Sequence, residues 1–373
     1  MRLLYFINAI TNSGGIERIV IDKINYLQES AGYEVALAYY GDSSDKPFFK
    51  INSQVSLFSM ERKCILDSPF QKIRSYFKVL GWVKRTIDDF KPNIIINANV
   101  ALVSWILPFA RRKIPKIVEL HFSYEGMAII TEEMYKNNFF LKKFNFWLRK
   151  YGYARYDRCI LLTDGDLEKW NFKNTVVIPN FTNINPQEYL PSEKRKVVVN
   201  IGRLSPQKNH KLLITAWSIV KKNYPDWSLE IWGSGELKEA LTKQIQDLGI
   251  SEQVKLKGLT NNVEDIYRYS SFFVLSSEYE GLPLVVIEAL RSSVPCISFD
   301  ISGVHGIIMD GENGHVVKEM TPEALADTII KTIDKREELV DMGRKASLSA
   351  NRFDKAKVMK LWVELFNTLL IKS

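Results

Sequence analysis

The chain has 373 residues, 46% hydrophobic and 25% charged, which is the composition of a globular protein with room for two domains. No stretch reaches the ~18 apolar residues of a membrane-spanning helix, and the first residues lack a signal-peptide cleavage site, so we expect a cytoplasmic protein. The three cysteines and four histidines have no paired spacing, and they predict neither a disulfide framework nor a structural metal site.

The net charge of +8 is unevenly placed along the chain. Residues 1–190 carry 26 Lys and Arg against 19 Asp and Glu, whereas residues 191–373 carry 25 against 24. A basic first half predicts an anionic partner for that half, which could be a nucleic acid, an anionic membrane surface or a phosphorylated substrate. A generally basic surface is the simpler alternative.

The first half alternates strands and helices. A buried strand over 3–9 leads into the glycine loop 12–15, a helix follows over 16–29, and a second strand covers 34–40. This order opens a doubly wound α/β fold, although Gly14-Gly15 does not form the G-x-G-x-x-G fingerprint of dinucleotide binding. Further strands are predicted at 55–58, 93–96, 116–120, 158–162 and 175–178, and helices at 70–90 and 101–110.

His121 directly follows the predicted strand 116–120. The carboxyl end of a parallel strand is where such sheets bind ligands. A single histidine is more often structural, so the sequence leaves both roles open.

Residues 138–155 combine aromatic and basic side chains at helical spacing. The aromatic stripe comprises Phe140, Phe144, Trp147, Leu148 and Tyr151. The cations, predicted on the other face, are Lys142, Lys143, Arg149 and Lys150. The pattern is typical of a helix resting on an anionic membrane. A helix that buries the stripe in the core has the same pattern, and both interpretations stay open.

The second half repeats the alternation after a proline-containing linker at 183–194. Strands are predicted at 197–201, 228–232, 254–257, 272–275, 296–299 and 315–317. Helices are predicted at 210–223, 236–248, 263–269, 284–291 and 353–370. A further helix is predicted to begin at Pro322, with Thr321 as its cap. Such alternation predicts parallel sheets, and two sheets joined by a linker would leave a ligand-binding cleft between them.

Three loops at the carboxyl ends of these later strands carry the candidate chemistry. The loop 202–209 contains Arg203 and Lys208, two cations on a short loop with no carboxylate to neutralise them. The loop 233–235 is glycine-rich, which predicts that a ligand or backbone approaches it closely. The loop 278–284 contains Glu280 and leads into a helix that would start at Pro283 and carry Glu288. Two cations and a helix N-terminus suit a diphosphate, and two carboxylates suit sugar hydroxyls. Together they predict a sugar-nucleotide site. Each loop alone is compatible with an ordinary strand–helix connection, in which Glu280 and Glu288 would be solvated.

These motifs resemble those of the retaining glycosyltransferases of family 4, whose GT-B architecture has two Rossmann-like domains facing a central cleft. The family signature, two glutamates separated by seven residues, matches Glu280 and Glu288. The other matching motifs, in order, are Gly14-Gly15-Ile16-Glu17-Arg18, Val177-Ile178-Pro179-Asn180, Gly202-Arg203-Leu204 with Gln207-Lys208-Asn209, Gly233-Ser234-Gly235 and Asp310-Gly311-Glu312-Asn313-Gly314. The resemblance implies an acceptor-binding domain over 1–185, a nucleotide-sugar domain over 186–352 and a helix over 353–373 that crosses back.

The resemblance also implies roles for individual residues. Arg203 and Lys208 would neutralise the leaving diphosphate, Glu280 would hold the donor sugar, Glu288 would hold the ribose, and His121 would lie near the sugar. The remaining donor-binding positions would be Gly14, Gly15, Gly202, Gly233, Leu259, Gly281, Leu282, Pro283 and Leu284. No metal or other cofactor is expected, because arginine and lysine supply the positive charge.

The function implied is retaining transfer of a hexose or N-acetylhexosamine from a UDP-sugar to a glycan acceptor. The acceptor would be lipid-linked, at the inner face of the cell membrane, in surface polysaccharide synthesis; no nucleic-acid partner is implied. The alternatives are a UDP-sugar epimerase of GT-B architecture and a non-catalytic sugar-nucleotide-binding protein. Gly306 stands where the family usually has a glutamate, so the resemblance does not specify the donor sugar.

Overall fold

The computed structural model describes residues 1–12, 14–61, 69–98, 101–134, 138–260 and 262–371, without the side chains of residues 69–74 and 101. Cys64 lies outside the described residues. The chain forms two compact units: unit 1, which is Met1–Asn180 with Val358–Ser373, and unit 2, which is Phe181–Lys357.

Unit 1 contains a sheet of seven parallel strands. They are β1 (Arg2–Ile7), β2 (Glu34–Tyr40), β3 (Ser56–Met60), β4 (Ile94–Asn97), β5 (Lys116–Glu119), β6 (Arg158–Leu161) and β7 (Thr175–Val177). Their order across the sheet is β3-β2-β1-β4-β5-β6-β7. The central strand β4 reads Ile-Ile-Ile-Asn and is buried throughout, as expected for a parallel strand with helices on both faces.

The strand order of unit 1 reverses between β1 and β4. Loops that follow such neighbouring strands lie at a topological switch point, where open α/β sheets bind ligands. The glycine loop follows β1, and His121 follows β5, the neighbour of β4. The sheet therefore places both predicted features at its carboxyl edge.

Six helices of unit 1 connect these strands. They are α1 (Gly15–Glu29), α2 (Pro69–Phe90), α3 (Ala101–Ile106), α4 (Tyr124–Met134), α5 (Phe139–Tyr153) and α6 (Gly165–Trp170). The helix predicted over 101–110 ends earlier, at Ile106, and continues as a 3-10 turn that contains Pro108, which has no N–H to donate. Helix α4 is missing from the predicted elements, although Ser123 accepts a hydrogen bond from the Gly126 N–H at its start, an ordinary helix-capping signal.

Unit 2 contains a sheet of six parallel strands. They are β8 (Val197–Ile201), β9 (Ser228–Trp232), β10 (Val254–Gly258), β11 (Phe272–Leu275), β12 (Cys296–Phe299) and β13 (Gly314–Val317), in the order β10-β9-β8-β11-β12-β13. The order reverses between β8 and β11. The loops that follow these two strands are the ones with Arg203, Lys208 and Glu280.

Helices alternate with the strands of unit 2, and the described ones were predicted except the last, Leu339–Ser349. They are α7 (His210–Asn223), α8 (Lys238–Asp247), α9 (Val263–Tyr269), α10 (Leu284–Arg291), α11 (Pro322–Asp334) and α12 (Leu339–Ser349). Thr321 caps α11 by accepting a hydrogen bond from the Ala324 N–H, which confirms its predicted role. The prediction that Pro283 is the first helical residue of α10 is wrong. Its ψ of 106° is extended, so Pro283 is the residue before the helix.

The last helix, α13 (Lys355–Ile371), begins in unit 2, and its residues from Val358 onward belong to unit 1. Trp362 and Phe366 are buried, with 2% and 0% of their surface exposed. No helix in the described part of the chain combines the length and apolar character needed to cross a membrane.

Candidate active site

The loops that follow β8 and β11 are joined by three hydrogen bonds. The Glu278 N–H donates to the carbonyl of Gln207 at 2.9 Å, and the Gln207 side-chain amide donates to the carbonyl of Tyr279 at 2.9 Å. The Ser276 hydroxyl donates to the carbonyl of Lys208 at 2.7 Å. These bonds fix the two loops at the switch point of unit 2 against each other, as the strand order requires.

Lys208 and Glu280 form an ion pair across these loops. The Lys208 Nζ lies 2.5 Å from the Glu280 Oε1, and the two side chains are only 19% and 10% exposed. The prediction that Lys208 has no neutralising carboxylate is therefore wrong. The loop 202–209 contains no carboxylate, but the partner of Lys208 is Glu280, which lies 72 residues further along the chain. The pair brings together two residues that the sequence assigned to one site.

Arg203 is the more exposed of the two predicted cations. Its guanidinium lies 3.4 Å from the carboxylate of Glu236, and the side chains are 74% and 52% exposed. The sequence did not predict this contact between Arg203 and Glu236 either. A solvent-screened pair at this distance contributes little to stability, so Arg203 can exchange Glu236 for an anionic ligand at small cost.

The glycines of the loop 233–235 allow backbone packing inside unit 2. A Cβ atom on Gly233, whose φ is +143°, would overlap the carbonyl oxygen of Gly202. A Cβ atom on Gly235 would overlap the carbonyl oxygen of Leu204, and the Leu204 N–H donates to the carbonyl of Ser234 at 2.9 Å. The sequence predicted close approach of a ligand or of backbone here, and the structure shows the approach of backbone.

Glu280 and Glu288 are both buried, with 8% and 2% of their surface exposed. The interpretation of these residues as solvated glutamates of an ordinary strand–helix unit is therefore wrong. Glu280 lies in the loop before α10, and Glu288 lies in the second turn of that helix. Burying an ionised carboxylate is costly unless a partner compensates it, so such residues are candidates for function.

The remaining predicted donor-binding positions of unit 2 divide into two groups. Gly281, Leu282, Pro283 and Leu284 connect Glu280 to α10, next to the ion pair. Leu259 follows β10, the strand at the edge of the sheet, and is 59% exposed. One strand, β9, therefore lies between the strand that Leu259 follows and β8.

The loop after β12 packs against Glu280. A Cβ atom on Gly303 would lie 2.6 Å from the Glu280 carbonyl oxygen, so only glycine fits there without a shift. Gly306, where the family usually has a glutamate, has a φ of +72°. A left-handed backbone strains other side chains. The chain therefore departs from the family at a position whose conformation favours glycine.

Asn200 and His210 support the site and were not predicted. The Asn200 amide donates to the carbonyl of Val274 at 2.8 Å, and its oxygen lies 3.0 Å from the His210 Nε2. His210 is fully buried. Burial, and secondarily the charge of Lys208, lowers the pKa of His210 to about 4. One feature of the sequence could have indicated Asn200, namely its position as a polar residue after three valines in the apolar strand β8.

His121 belongs to a buried cluster of charged groups in unit 1. Its Nε2 lies 3.3 Å from the Glu119 Oε2, which in turn lies 2.5 Å from the Lys23 Nζ on α1. Burial by itself would raise the pKa of Glu119, but the charge of Lys23 and the contact with His121 outweigh it and lower that pKa to about 2. His121 is thus not an isolated structural histidine, and Lys23 and Glu119 were not predicted.

The glycine loop of unit 1 is covered by Glu17. Gly14 is the residue before α1, and a Cβ atom on it would overlap the Glu17 carboxylate. The Asn12 amide donates to that carboxylate at 3.1 Å. Gly14 therefore leaves room for a side chain of the same helix, and Ser13 lies outside the described residues.

Helix α5 has its aromatic stripe on the outside of unit 1. Phe140, Phe144, Trp147 and Tyr151 are 83%, 57%, 55% and 42% exposed. Phe146 lies on the opposite side and stacks on Trp170 with ring centroids 6.1 Å apart. The interpretation that this stripe faces the core is therefore wrong.

The cations of α5 do not form a freely solvated face. Lys142 pairs with Glu132 of α4, and the Arg149 guanidinium donates to Asn145 at 2.9 Å. The Lys150 Nζ lies 5.7 Å from the centroid of the Tyr124 ring, and the Lys143 Nζ lies 5.7 Å from that of Phe139. The helix therefore presents mainly aromatic surface outward.

The described side chains include no cluster of three or more His, Cys, Asp or Glu suited to a metal ion.

Two family models match the chain and together cover most of it. The model described as "Glycosyl transferases group 1" matches residues 181–371, and that described as "Glycosyltransferase Family 4" matches residues 13–185. The chain belongs to the group 1 glycosyltransferases. It is therefore a transferase enzyme.

Similar proteins share nearly the whole length of this glycosyltransferase. An uncharacterized glycosyltransferase of Haemophilus influenzae is 27% identical over 96% of the chain and 98% of its own length. The amylovoran biosynthesis glycosyltransferase AmsD of Erwinia amylovora is 25% identical over 98% and 99%. A Campylobacter jejuni enzyme is 26% identical over 98% of both chains; its name is GalNAc-alpha-(1->4)-GalNAc-alpha-(1->3)-diNAcBac-PP-undecaprenol alpha-1,4-N-acetyl-D-galactosaminyltransferase.

Solved structures establish the fold of this glycosyltransferase as GT-B. Sucrose-phosphate synthase from Thermosynechococcus elongatus superposes with a TM-score of 0.83 at 17% identity, covering 100% of both chains. A Staphylococcus aureus TarM mutant, solved with UDP among its ligands, gives 0.79 at 16% identity over 98% and 99%. Anabaena HepE, solved with UDP and glucose, gives 0.76 at 18% identity over 98% and 99%.

Proposed function

We propose that this glycosyltransferase transfers a hexose or an N-acetylhexosamine from a UDP-sugar to a glycan acceptor, with retention of the anomeric configuration. The acceptor is a lipid-linked saccharide, and the pathway is the synthesis of a surface polysaccharide or related glycan. The observation that carries the proposal is the Lys208–Glu280 ion pair at the switch point of unit 2. The pair joins a phosphate-binding cation to a hydroxyl-binding carboxylate at the place where α/β sheets bind ligands.

The donor site is formed by residues of unit 2. Lys208, Arg203 and the N-terminus of α10 supply positive charge for a diphosphate. Glu280, released from part of its interaction with Lys208, accepts hydrogen bonds from the sugar, and Glu288 holds the ribose. The similarity to TarM and HepE, both solved with UDP, supports uridine as the nucleoside.

The proposed reaction exchanges one bond at the anomeric carbon of the donor. The bond from that carbon to the diphosphate oxygen breaks, and the acceptor oxygen bonds to the same face of the sugar. The proton of the acceptor hydroxyl passes to the leaving diphosphate. Arg203 and Lys208 stabilise the negative charge that develops on the diphosphate, which is the usual task of preorganised cations in phosphate chemistry. In this scheme no resident metal takes part.

A lipid-linked acceptor is supported by the surface of α5. Exposed aromatic side chains such as Phe140 and Trp147 partition into the interface of a bilayer, and the excess of cations over residues 1–190 favours an anionic leaflet. The similar Campylobacter enzyme carries an undecaprenol diphosphate saccharide in its name. Unit 1 would therefore rest on the membrane that holds the acceptor.

A screen of UDP- and GDP-sugars with a lipid-linked acceptor tests the proposal. We expect acceptor-dependent release of UDP, no release from GDP-sugars, unchanged activity in excess EDTA, and an α-linked product from an α-linked donor. An epimerised UDP-sugar formed without release of UDP would identify a GT-B epimerase instead. Binding of UDP-sugar without any turnover would identify a non-catalytic binding protein.

A further inference from the structure

The cluster around Glu119 buries three ionisable side chains inside unit 1. Lys23, Glu119 and His121 are 2%, 1% and 7% exposed, and they come from α1, β5 and the loop after β5. Replacing a buried ion pair by apolar residues of similar size is often neutral or stabilising. The Lys23–Glu119 pair lies beside His121 at the carboxyl edge of the sheet. We therefore expect the pair to act on His121.

The contacts of Glu119 are divided between its two neighbours. Its Oε2 lies 2.5 Å from the Lys23 Nζ and 3.3 Å from the His121 Nε2. An ionised carboxylate can only accept hydrogen bonds, so of the two neutral tautomers of His121 it favours the one with the proton on Nε2. In that tautomer Nδ1 is a hydrogen-bond acceptor. Both ring nitrogens are buried, and among the described residues neither has a partner that meets the geometry of a hydrogen bond, so the 3.3 Å contact to Glu119 is the interaction that orients Nε2.

Lys23 keeps Glu119 ionised, and α13 covers Lys23. The Lys23 Nζ lies 3.8 Å from the centroid of the Trp362 ring, so the ammonium is held between a carboxylate and an aromatic face. Tyr5 of β1 also lies near the cluster, and burial together with the charge of Glu119 raises its pKa well above its usual value. Its hydroxyl has no hydrogen-bond partner among the described residues, so Tyr5 does not occupy the carboxylate.

We propose that Glu119 is a positioning residue, which holds His121 as its Nε2–H tautomer so that Nδ1 accepts a hydrogen bond from a sugar hydroxyl of the substrate. Lys23 and Trp362 act through Glu119 by fixing its charge and place. This inference rests on the proposed function, because that function supplies the sugar hydroxyl. The assignment of Glu119, Lys23 and Trp362 comes from the contacts within unit 1.

Two double variants separate positioning from support of the fold. Lys23→Met with Glu119→Gln removes both charges and keeps an acceptor oxygen beside His121, whereas Lys23→Met with Glu119→Leu also removes the acceptor. We expect similar melting temperatures and a kcat at least about tenfold lower for the leucine variant, since one hydrogen bond of this kind is at stake. Values of kcat within twofold of each other would overturn the proposal.

The unsubstituted enzyme provides a second test that does not depend on activity, and one variant is needed only to assign the His121 signals. Long-range ¹H–¹⁵N NMR distinguishes the two neutral tautomers, and the signals that disappear in His121→Gln belong to His121. We expect protonated Nε2 and unprotonated Nδ1; the opposite tautomer would overturn the proposal. If the enzyme shows this tautomer but no sugar transfer, the proposed function fails while the assignment of Glu119 stands.

Discussion

The Lys208 Nζ lies 2.5 Å from the Glu280 Oε1, although the two residues are 72 positions apart. The pair exists because β8 and β11 are neighbours in the sheet of unit 2 and their loops leave at the same edge. A cation and a carboxylate that neutralise each other without ligand can each turn to a part of the donor when it binds. In the proposed function both charges thus already lie at the switch point before the donor binds.

Lys208→Ala should lower the rate of sugar transfer by at least ~100-fold, because a charge-assisted contact to the leaving diphosphate contributes a few kcal/mol. Steady-state release of UDP measures the effect. Lys196→Ala is the matched control, since Lys196 is an exposed lysine of the same unit, paired with Asp226. Near-normal turnover of the Lys208 variant would show that the donor binds elsewhere.

Glu288→Ala should also lower transfer by at least ~100-fold, because it removes a buried acceptor of hydrogen bonds from the ribose. The affinity for UDP alone, measured by calorimetry, should fall together with the rate. Glu252→Ala serves as the control, since the Glu252 side chain is 92% exposed. Unchanged UDP affinity would contradict the role assigned to Glu288.

Gly233→Ala should lower the melting temperature of the enzyme and its activity together. The added Cβ would overlap the carbonyl oxygen of Gly202, and the φ of +143° disfavours any side chain. Gly81→Ala, inside α2 with no atom within 4 Å of the new Cβ, should be neutral or stabilise by about 0.5–1 kcal/mol. Equal melting temperatures for the two variants would contradict the packing described for the loop 233–235.

Acid should destabilise the enzyme partly through His210. Its pKa in the folded protein is lowered to about 4 by burial and by Lys208, so the unfolded chain binds a proton first as the pH falls. This contribution to stability is complete above pH ~6.5 and is lost between about 6.5 and 4. His210→Gln should flatten the decrease of the melting temperature over this range, whereas His305→Gln, at an exposed histidine, should not. A parallel decrease in all three proteins would contradict the assignment.

Replacing Phe140, Phe144 and Trp147 by Ala should abolish flotation of the enzyme with anionic vesicles. These side chains are more than half exposed, so the melting temperature should stay within about 2 °C because surface substitutions cost little. Leu348→Ala with Val340→Ala, exposed apolar positions of α12, is the control. Replacing Lys142, Lys143, Arg149 and Lys150 by Ala tests how much these cations contribute to binding of the anionic vesicles. Undiminished flotation of the aromatic variant would remove α5 from the membrane contact.

The sequence predicted the elements of unit 2 with most of their bounds, because each buried strand is a short apolar run that ends in a polar loop. Helices α7 and α9 and strands β9, β11 and β12 begin and end at the predicted residues. Helices α4, α6 and α12 were missed. Helix α4 is weakly periodic, although Ser123 caps its start, and α6 has six residues and no side-chain cap.

The sequence also grouped Arg203, Lys208 and Glu280, but it could not give their partners. Glu236, Asn200 and His210 take part through contacts between elements, which follow from the strand order and not from local spacing. The Lys23–Glu119 pair was missed for the same reason, since 96 residues separate its members. The exposed stripe of α5 illustrates a further limit, because helical spacing alone does not decide which face of an amphipathic helix meets the protein.

Helix α13 has a consequence for the order in which the chain is made. Ribosomes synthesise residues 1–180 first, yet Trp362, which covers Lys23 within unit 1, follows only after the whole of unit 2. The first sheet must therefore remain without its last helix while about 180 further residues emerge, with the Lys23 ammonium exposed where Trp362 will lie. Completion of unit 1 is thereby delayed until the chain has been translated through unit 2.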